Sequence, residues 1–580
     1  MAFKNLSYLI LLISLYLSLS LSKPNNHRHQ TTLPPTPAPT PSPLPTPFST
    51  TQLPPSQTLG QWALLQKTIG ISAMHMQLLY NNRLIIFDRT NFGLSNLSLP
   101  SDTKCRYNDE LKNIDCTAHS VSYDTALNTF RPLSVQTDFW CSSASVLPDG
   151  TLLQTGGYLT GANKIRSFTP CDDEKCDWIE FERNLTVQRW YATNQILPDG
   201  RIIIVGGRRA FSYEFFPKNQ EDGTLKNVFN LSFLLQTSDS KEENNLYPFV
   251  HILPDGNLFI FANQRSILFD YSNHRVLKEY PVIPDAKRSY PSTGSSVLLP
   301  FKLVSGEVLP EAEVMICGGS YGGAYLKARV GHYVAASTSC GRLKVSDPDP
   351  KWVMEEMPMG RVMPDMLLVP TGDVVIINGA GRGTGGWENA DDPVLYPVLY
   401  SSNVDDPKKR FTVMNPTTIP RMYHSAAALL PDGRILVGGS NPHVRYNFTD
   451  VKFPTELSLE SFSPPYLAAD LRYLQPSIIS VEYPSDYGQQ FSVMFSLGPD
   501  IRNGEINVVM IAPSFTTHSF AMNQRLLVLD SSDVQQLSDV AYKASVFAPP
   551  SRNVAPPGYY MLFVVHEGVP SHCVWIKMNL

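Results

Sequence analysis

A thiol, two phenols and an imidazole occur at nearly equivalent places in a repeated unit of this chain. Arg421-Met422-Tyr423-His424-Ser425 runs into Leu430-Pro431-Asp432-Gly433-Arg434 and Gly438-Gly439. Arg189-Trp190-Tyr191 precedes Leu197-Pro198-Asp199-Gly200-Arg201 and Gly206-Gly207, and Asp138-Phe139-Trp140-Cys141 precedes Leu147-Pro148-Asp149-Gly150 and Gly156-Gly157. A repeat that converges its strands on one axis would bring Cys141, Tyr191, Tyr423 and His424 together. Imidazole suits copper, and phenolate oxygen completes a mixed nitrogen–oxygen set of tetragonal geometry. Such a site requires a second histidine. His518 is a candidate, in Ser514-Phe515-Thr516-Thr517-His518-Ser519-Phe520 among aromatic and hydroxyl neighbours. His75, His119, His251, His332 and His443 each lack a Tyr or Cys neighbour at an equivalent position and read as hydrogen-bonded structural histidines.

The elements that must hold these residues are strands. An apolar strand, a turn of the Pro-Asp-Gly kind and a second apolar strand ending in Gly-Gly recur through residues 60–475. The copies span 74–87, 141–157, 191–207, 248–261, 292–319, 365–379 and 423–439. Asp-Gly turns between Val/Ile/Leu runs signal hairpins. Seven copies at a spacing of roughly 50 to 60 residues are expected to form a seven-bladed kelch-like β-propeller. From about 475 short alternating strands appear instead, at 478–481, 490–493, 508–511, 525–529, 544–547 and 559–565. They suggest a C-terminal immunoglobulin-like β-sandwich without the bridge of antibody domains. The expected organisation is all-β: propeller over 58–474, sandwich over 475–580.

Composition narrows the setting. Charged residues are 17% of the chain, prolines number 48, the formal charge is −5 and the pI is near 6.2, which offers no electrostatic case for nucleic acid. Residues 1–22 read as a secretory signal, with Lys4, an apolar run from Leu9 to Leu21 and a small-residue exit at Ser20 or Ser22. No other stretch is long and apolar enough to span a bilayer. Residues 23–57 form a Pro/Thr/Ser tract that favours extended polyproline II and serves as a linker. Asn96, Asn184, Asn230 and Asn447 lie in Asn-x-Ser/Thr triplets, which agrees with export. Of the eight cysteines, Cys105 with Cys116, Cys171 with Cys176, and Cys317 with Cys340 read as three disulfides. Cys573 reads as a buried free thiol. Cys141 stands inside the repeat and needs another explanation.

On these residues the chain resembles the copper radical oxidases, the family of galactose oxidase and glyoxal oxidase, and is most similar to its plant glyoxal-oxidase-type branch. The resemblance covers nearly all of 60–580. It implies that Cys141 is joined through sulfur to the ring carbon ortho to the Tyr191 hydroxyl. It also implies that Tyr423 and His424 are the axial tyrosine and first histidine, and that His518, ahead of Asn523-Gln524-Arg525, is the second histidine. The metal set is then Tyr191, Tyr423, His424 and His518 around one copper ion. The Cys141–Tyr191 thioether carries a tyrosyl radical, and Tyr423 acts as general base. The implied reaction is the oxidation of aldehydes such as glyoxal and methylglyoxal to carboxylic acids, with O2 reduced to H2O2. Two alternatives stand beside it: oxidation of primary alcohols of cell-wall polysaccharides by the same cofactor, and a non-catalytic extracellular kelch-type binding module. The expected protein is a monomer in the cell wall or apoplast. It meets a small aldehyde or alcohol and O2, and associates with a peroxidase or wall polymer. One departure is visible. In galactose oxidase an indole covers the modified tyrosine shortly after the following Gly-Gly, and here that place reads Gly206-Gly207-Arg208-Arg209-Ala210-Phe211. The missing lid fits a small-aldehyde oxidase and leaves Arg209 or Phe211 to shield the ring.

Overall fold

The computed structural model describes residues 59–580 except 109, 219–227, 305, 308, 485, 499–503 and 580. The expected signal (1–22) and Pro-rich linker (23–57) lie outside the described residues. Seven antiparallel blades follow one another along the chain, six of them four-stranded sheets and the first a six-stranded sheet that takes in two strands of a C-terminal hairpin. Their innermost strands are His75–Leu78, Ser143–Val146, Ala192–Ile196, Phe249–Ile252, Gly294–Leu298, Asp365–Leu368 and Ser425–Leu429. The innermost strand of the seventh blade touches that of the first. Gln61–Gln66, from the start of the described chain, pairs with Leu459–Ser463 and completes the seventh sheet.

The repeated turns work by one device. In Leu147-Pro148-Asp149-Gly150 the Asp149 carboxylate accepts from the Thr151 amide and Gly150 takes φ 94°. Asp199, Asp255 and Asp432 repeat it with Gly200, Gly256 and Gly433. A short acid that caps its own turn, followed by a residue free to adopt positive φ, reverses the chain within a hairpin.

A second device sits at the axial end of the blades. Buried Arg189, Arg288, Arg361 and Arg421 each donate to a carbonyl at the end of the blade's second strand: Gly206, Gly318, Asn378 and Gly439 respectively. Arg189 and Arg421 also pair with buried Glu214 and Glu460. The glycines there are required by space. A Cβ on Gly156 would lie 2.1 Å from the Arg189 carbonyl oxygen of the next blade.

The C-terminal domain is a sandwich of two sheets. One pairs Arg525–Val528, Ile506–Ala512, Gly558–His566 and Val574–Met578; the other pairs Ser477–Val481, Gln490–Ser496, Ala541–Phe547 and Ser531–Gln536. One hairpin leaves it. Phe515–Thr517 and Phe520–Met522 pair with each other, and Phe515–Thr517 adds to the innermost strand of the first blade. This hairpin touches the innermost strand of all seven blades, so it fills the axis. Its tip, His518 and Ser519, has φ 43° and 72°, the positive pair of a type I′ turn. The following side chains anchor it. Asn523 accepts from the Ile196 amide of the third blade, Gln524 bonds both Leu368 and Met366 of the sixth, and Arg525 donates to Ile252 of the fourth.

All three expected disulfides are formed. Cys317 and Cys340 face each other across adjacent strands of the fifth blade rather than closing an open loop. Cys141 is free and buried, and Cys573 is free but only half-buried. Asn96, Asn230 and Asn447 are exposed, whereas Asn184 is half-buried. Among the described residues no helix is long and apolar enough to cross a membrane.

Candidate metal centre

The five residues singled out in the sequence meet at the axis. Four lie at or beside the left-handed residue that precedes an innermost strand. Cys141, Tyr191, Tyr247, Thr293, Met363 and His424 occupy this place in blades two to seven, with φ between 43° and 67°. Non-glycine residues avoid this region at a cost of about 1–3 kcal/mol each, and such strain collects where surrounding structure over-determines a functional geometry. The turn aims each side chain inward. His518 arrives from the opposite direction on its hairpin.

Cys141 Sγ lies 3.1 Å from His518 Nε2. The hydroxyl of Tyr191 donates to Tyr290 at 3.3 Å, and Tyr290 Oη is 2.9 Å from Tyr423 Oη. The Tyr423 and His424 rings stack at 3.9 Å, and the His424 and His518 centroids are 5.0 Å apart. Thr517 Oγ1 holds His518 Nδ1 at 2.6 Å, which turns Nε2 toward the other groups. All five residues are buried.

Burial sets the protonation of the group. It pushes the Tyr191 and Tyr423 phenols and the Cys141 thiol well above their usual ranges. It holds the His424 and His518 imidazoles well below theirs, with each ring's positive form further opposed by another histidine. A set of neutral acids and neutral imidazoles results. Neither ring nitrogen of His424 has a hydrogen-bond partner, and a buried polar group without one calls for an explanation. The donor atoms of Cys141, His424 and His518 all lie within 4.8 Å of one another. A divalent ion that displaces the two phenolic protons leaves the pocket electrically neutral and gives His424 its missing partner. The two-nitrogen, two-oxygen set suits Cu(II). The residues therefore fit copper.

Tyr290 and Tyr247, not singled out in the sequence, complete the site together with Trp190, whose position the sequence explains equally by core packing. Tyr290 bridges the two phenols and packs on the Tyr191 ring at 4.6 Å. Trp190 packs on the same ring at 4.6 Å, and Tyr247 meets it edge-on at 5.5 Å. The indole absent after Gly206-Gly207 has a counterpart in Trp190, the residue before the tyrosine, which lies tilted at 36° to the Tyr191 ring, while Tyr290 stacks on it. Arg209 is exposed, and Phe211 packs into the core shared by blades three and four, so neither shields the ring. A signal for Tyr290 was available. Tyr191, Tyr290 and Tyr423 each stand two residues after a buried arginine that binds the end of its blade. The remaining histidines are structural where their partners are described: His75 to the Phe139 carbonyl, His119 to Asp115 and the Arg89 carbonyl, His251 to Ser296, and His443 to Glu388 and the Phe453 carbonyl. His332 is exposed.

A propeller whose axis gathers two phenols, two imidazoles and a thiol, with one imidazole delivered by a C-terminal sandwich, defines the galactose-oxidase-like class of protein. Comparison with known proteins agrees. The glyoxal oxidase N-terminus profile matches residues 74–466, and the galactose oxidase-like Early set domain matches 475–578. The chain belongs to the glyoxal oxidase family. It is 46% identical over 524 residues to the aldehyde oxidase GLOX of Vitis pseudoreticulata, covering 90% of this chain and 97% of that one. It is 45% identical over 527 residues to the aldehyde oxidase GLOX1 of Arabidopsis thaliana, covering 90% and 84%. A solved fungal alcohol oxidase in complex with copper shares the fold, with a TM-score of 0.68 at 19% identity, over 90% of this chain and all of that one.

Proposed function

We propose that this protein is a secreted copper radical oxidase that converts small aldehydes, taken as their hydrates, to carboxylic acids while O2 becomes H2O2. The observation that carries this reading is the convergence of Tyr191, Tyr423, His424 and His518 on one buried point beside an unpaired thiol, Cys141. In this reading those four residues hold copper, and Cys141 Sγ is bonded to the ring carbon ortho to the Tyr191 hydroxyl. Bound copper together with the thioether-substituted ring supplies the two one-electron acceptors that a two-electron oxidation needs.

The chain does the rest. Tyr423 takes the hydroxyl proton of the substrate as general base, and the Tyr290 hydroxyl beside it holds its oxygen in place. The Tyr191 ring, once oxidised, would be the group placed to receive the hydrogen of the substrate carbon. Trp190 and Tyr290 keep water from that ring. His424 and His518 need no proton role, and Thr517 fixes the tautomer of His518. Residues 1–22 direct export, 23–57 are a Pro/Thr/Ser-rich linker, 58–474 the catalytic propeller, and 475–580 the domain that delivers His518. Activity outside the cell places the enzyme beside wall polymers and peroxidases that use its peroxide.

Oxygen uptake by the copper-loaded protein tests the reading. Peroxide and acid formed from glyoxal or methylglyoxal support it. A faster rate on galactose moves the substrate to primary alcohols. No uptake by protein shown to hold copper returns the chain to a binding module.

A further inference from the structure

The Tyr191 ring is the near end of a run of touching aromatic side chains. Trp190 packs on it, Trp140 lies 4.7 Å from Trp190, and Trp387 stacks on Trp140 at 4.9 Å. Tyr158 touches both Trp140 and Trp190, at 4.7 and 4.5 Å. Trp190, Tyr158 and Trp387 are half-buried, so the run leads toward solvent. Rings in contact at these separations pass electrons readily, and indole is among the side chains easiest to oxidise. An oxidised Tyr191 is therefore next to a drain.

Two features oppose that drain. Every indole in the run faces a cation: Arg208 lies over Trp190 at 5.4 Å, and Arg89 over Trp140 at 5.2 Å and Trp387 at 4.7 Å. A guanidinium is attracted to a neutral ring and repelled by one that has lost an electron. Arg208 is held by Glu243, and buried Arg89 by the Val444 carbonyl and Asn91. The second feature is the absence of acceptors. The indole nitrogens of Trp140 and Trp387 are buried without a hydrogen-bond partner, and the Trp190 nitrogen faces only the sulfur of Cys141, which burial keeps protonated, so no strong base stands ready to take the proton that an oxidised indole sheds.

We propose that Arg208 and Arg89 are positioning residues that confine the oxidising equivalent to the Cys141–Tyr191 pair by keeping the neighbouring indoles reduced. The inference rests on the oxidase reading above. The reaction they suppress is specific. One electron passes from the Trp190 indole to the oxidised Tyr191 ring, which returns to its reduced state. The indole then loses its N–H proton to water and gives a second electron to hexacyanoferrate(III), and water adds to the ring with loss of one more proton to leave hydroxytryptophan.

The test uses the full chain loaded with copper, oxidised with hexacyanoferrate(III) and left without substrate. Arg208 is chosen because its side chain is 42% exposed, so Arg208→Leu opens no core. Peptide mass spectrometry reads oxygen added at Trp190, and absorbance reads the decay of the oxidised state. A cation–π contact at a partly exposed site corresponds to roughly fivefold in an equilibrium. Arg208→Leu is expected to decay about fivefold faster than the parent and to accumulate oxygenated Trp190, with Arg208→Lys behaving as the parent. Equal decay and equal Trp190 oxidation in Arg208→Leu and parent, with the thioether present in both, overturns the inference. A parent that lacks the thioether overturns the oxidase reading itself and this inference with it.

Discussion

The backbone N–H of Tyr191 donates to the carbonyl oxygen of Cys141 at 2.9 Å. The two residues come from neighbouring blades, and both are held in the left-handed region. Their side chains are therefore brought together by the folded main chain before any metal arrives.

Copper and O2 are accordingly expected to join the Cys141 and Tyr191 peptides into one species lighter by two hydrogens, read by mass spectrometry. Cys141→Ser keeps the peptides separate. Its turnover of glyoxal is expected to fall sharply, because the unsubstituted Tyr191 ring is a poorer second electron acceptor. Separate peptides in copper-treated parent protein would sink the mechanism.

Thr517 predicts a milder phenotype. Its hydroxyl is the described partner of His518 Nδ1, and outer partners of this kind contribute about 10- to 100-fold in metal affinity. Thr517→Val is expected to weaken copper binding by about that factor in a chelator competition, with Thr517→Ser close to the parent. Equal affinities for Val and Ser would show that the hydrogen bond does not orient the ring.

Much of this architecture could be read from the residues, and the exceptions share a cause. The Pro-Asp-Gly turns announce the blades because each turn is local: an acid and a glycine side by side suffice. Cys141, Tyr191 and Tyr423-His424 stand out because they break an otherwise regular repeat. The hairpin that carries His518 gave no turn signal, since His518 and Ser519 take the positive φ values usually left to Asn-Gly. Trp190 was legible as a residue but not as a lid, because stacking depends on how adjacent side chains fan out from a strained turn. Tyr290 heads the fifth blade, two blades from either phenol it touches. Gln61–Gln66 has no turn of its own and pairs with a strand nearly four hundred residues later.

Two buried histidines outside the metal set predict acid sensitivity. Burial lowers His75 and His251 from 6.5 to about 3. Both stay neutral in the fold while the unfolded chain takes up protons below 6.5. The stability they contribute is present above pH 6.5 and is lost as pH falls toward 3, at about 1.4 kcal/mol per pH unit for each histidine. Urea midpoints of the metal-free protein at pH 7, 6 and 5 check this. His251→Gln should flatten the slope by one proton's share, and an unchanged slope would rule His251 out.

Asp365 works in the opposite sense. Burial raises its carboxyl from 3.8 to about 8, against the opposing hydrogen bond from Asn378, and its Oδ1 has no partner. The folded pKa exceeds the unfolded one, so the folded state loses stability as pH rises from 3.8 toward 8. Asp365→Asn removes that ionisation and is expected to stabilise the protein by about 2–4 kcal/mol at pH 7, with little gain at pH 4. Equal gains at both values would show that the effect is packing rather than charge.

The hairpin bearing His518 fills the axis of a ring that the ribosome has already finished before the hairpin is made. A nascent chain that has emerged only as far as the seventh blade has an open axis and one imidazole too few. The metal pocket is thus complete only once this hairpin is in place, because His518 is the one member of the set that the blades do not carry.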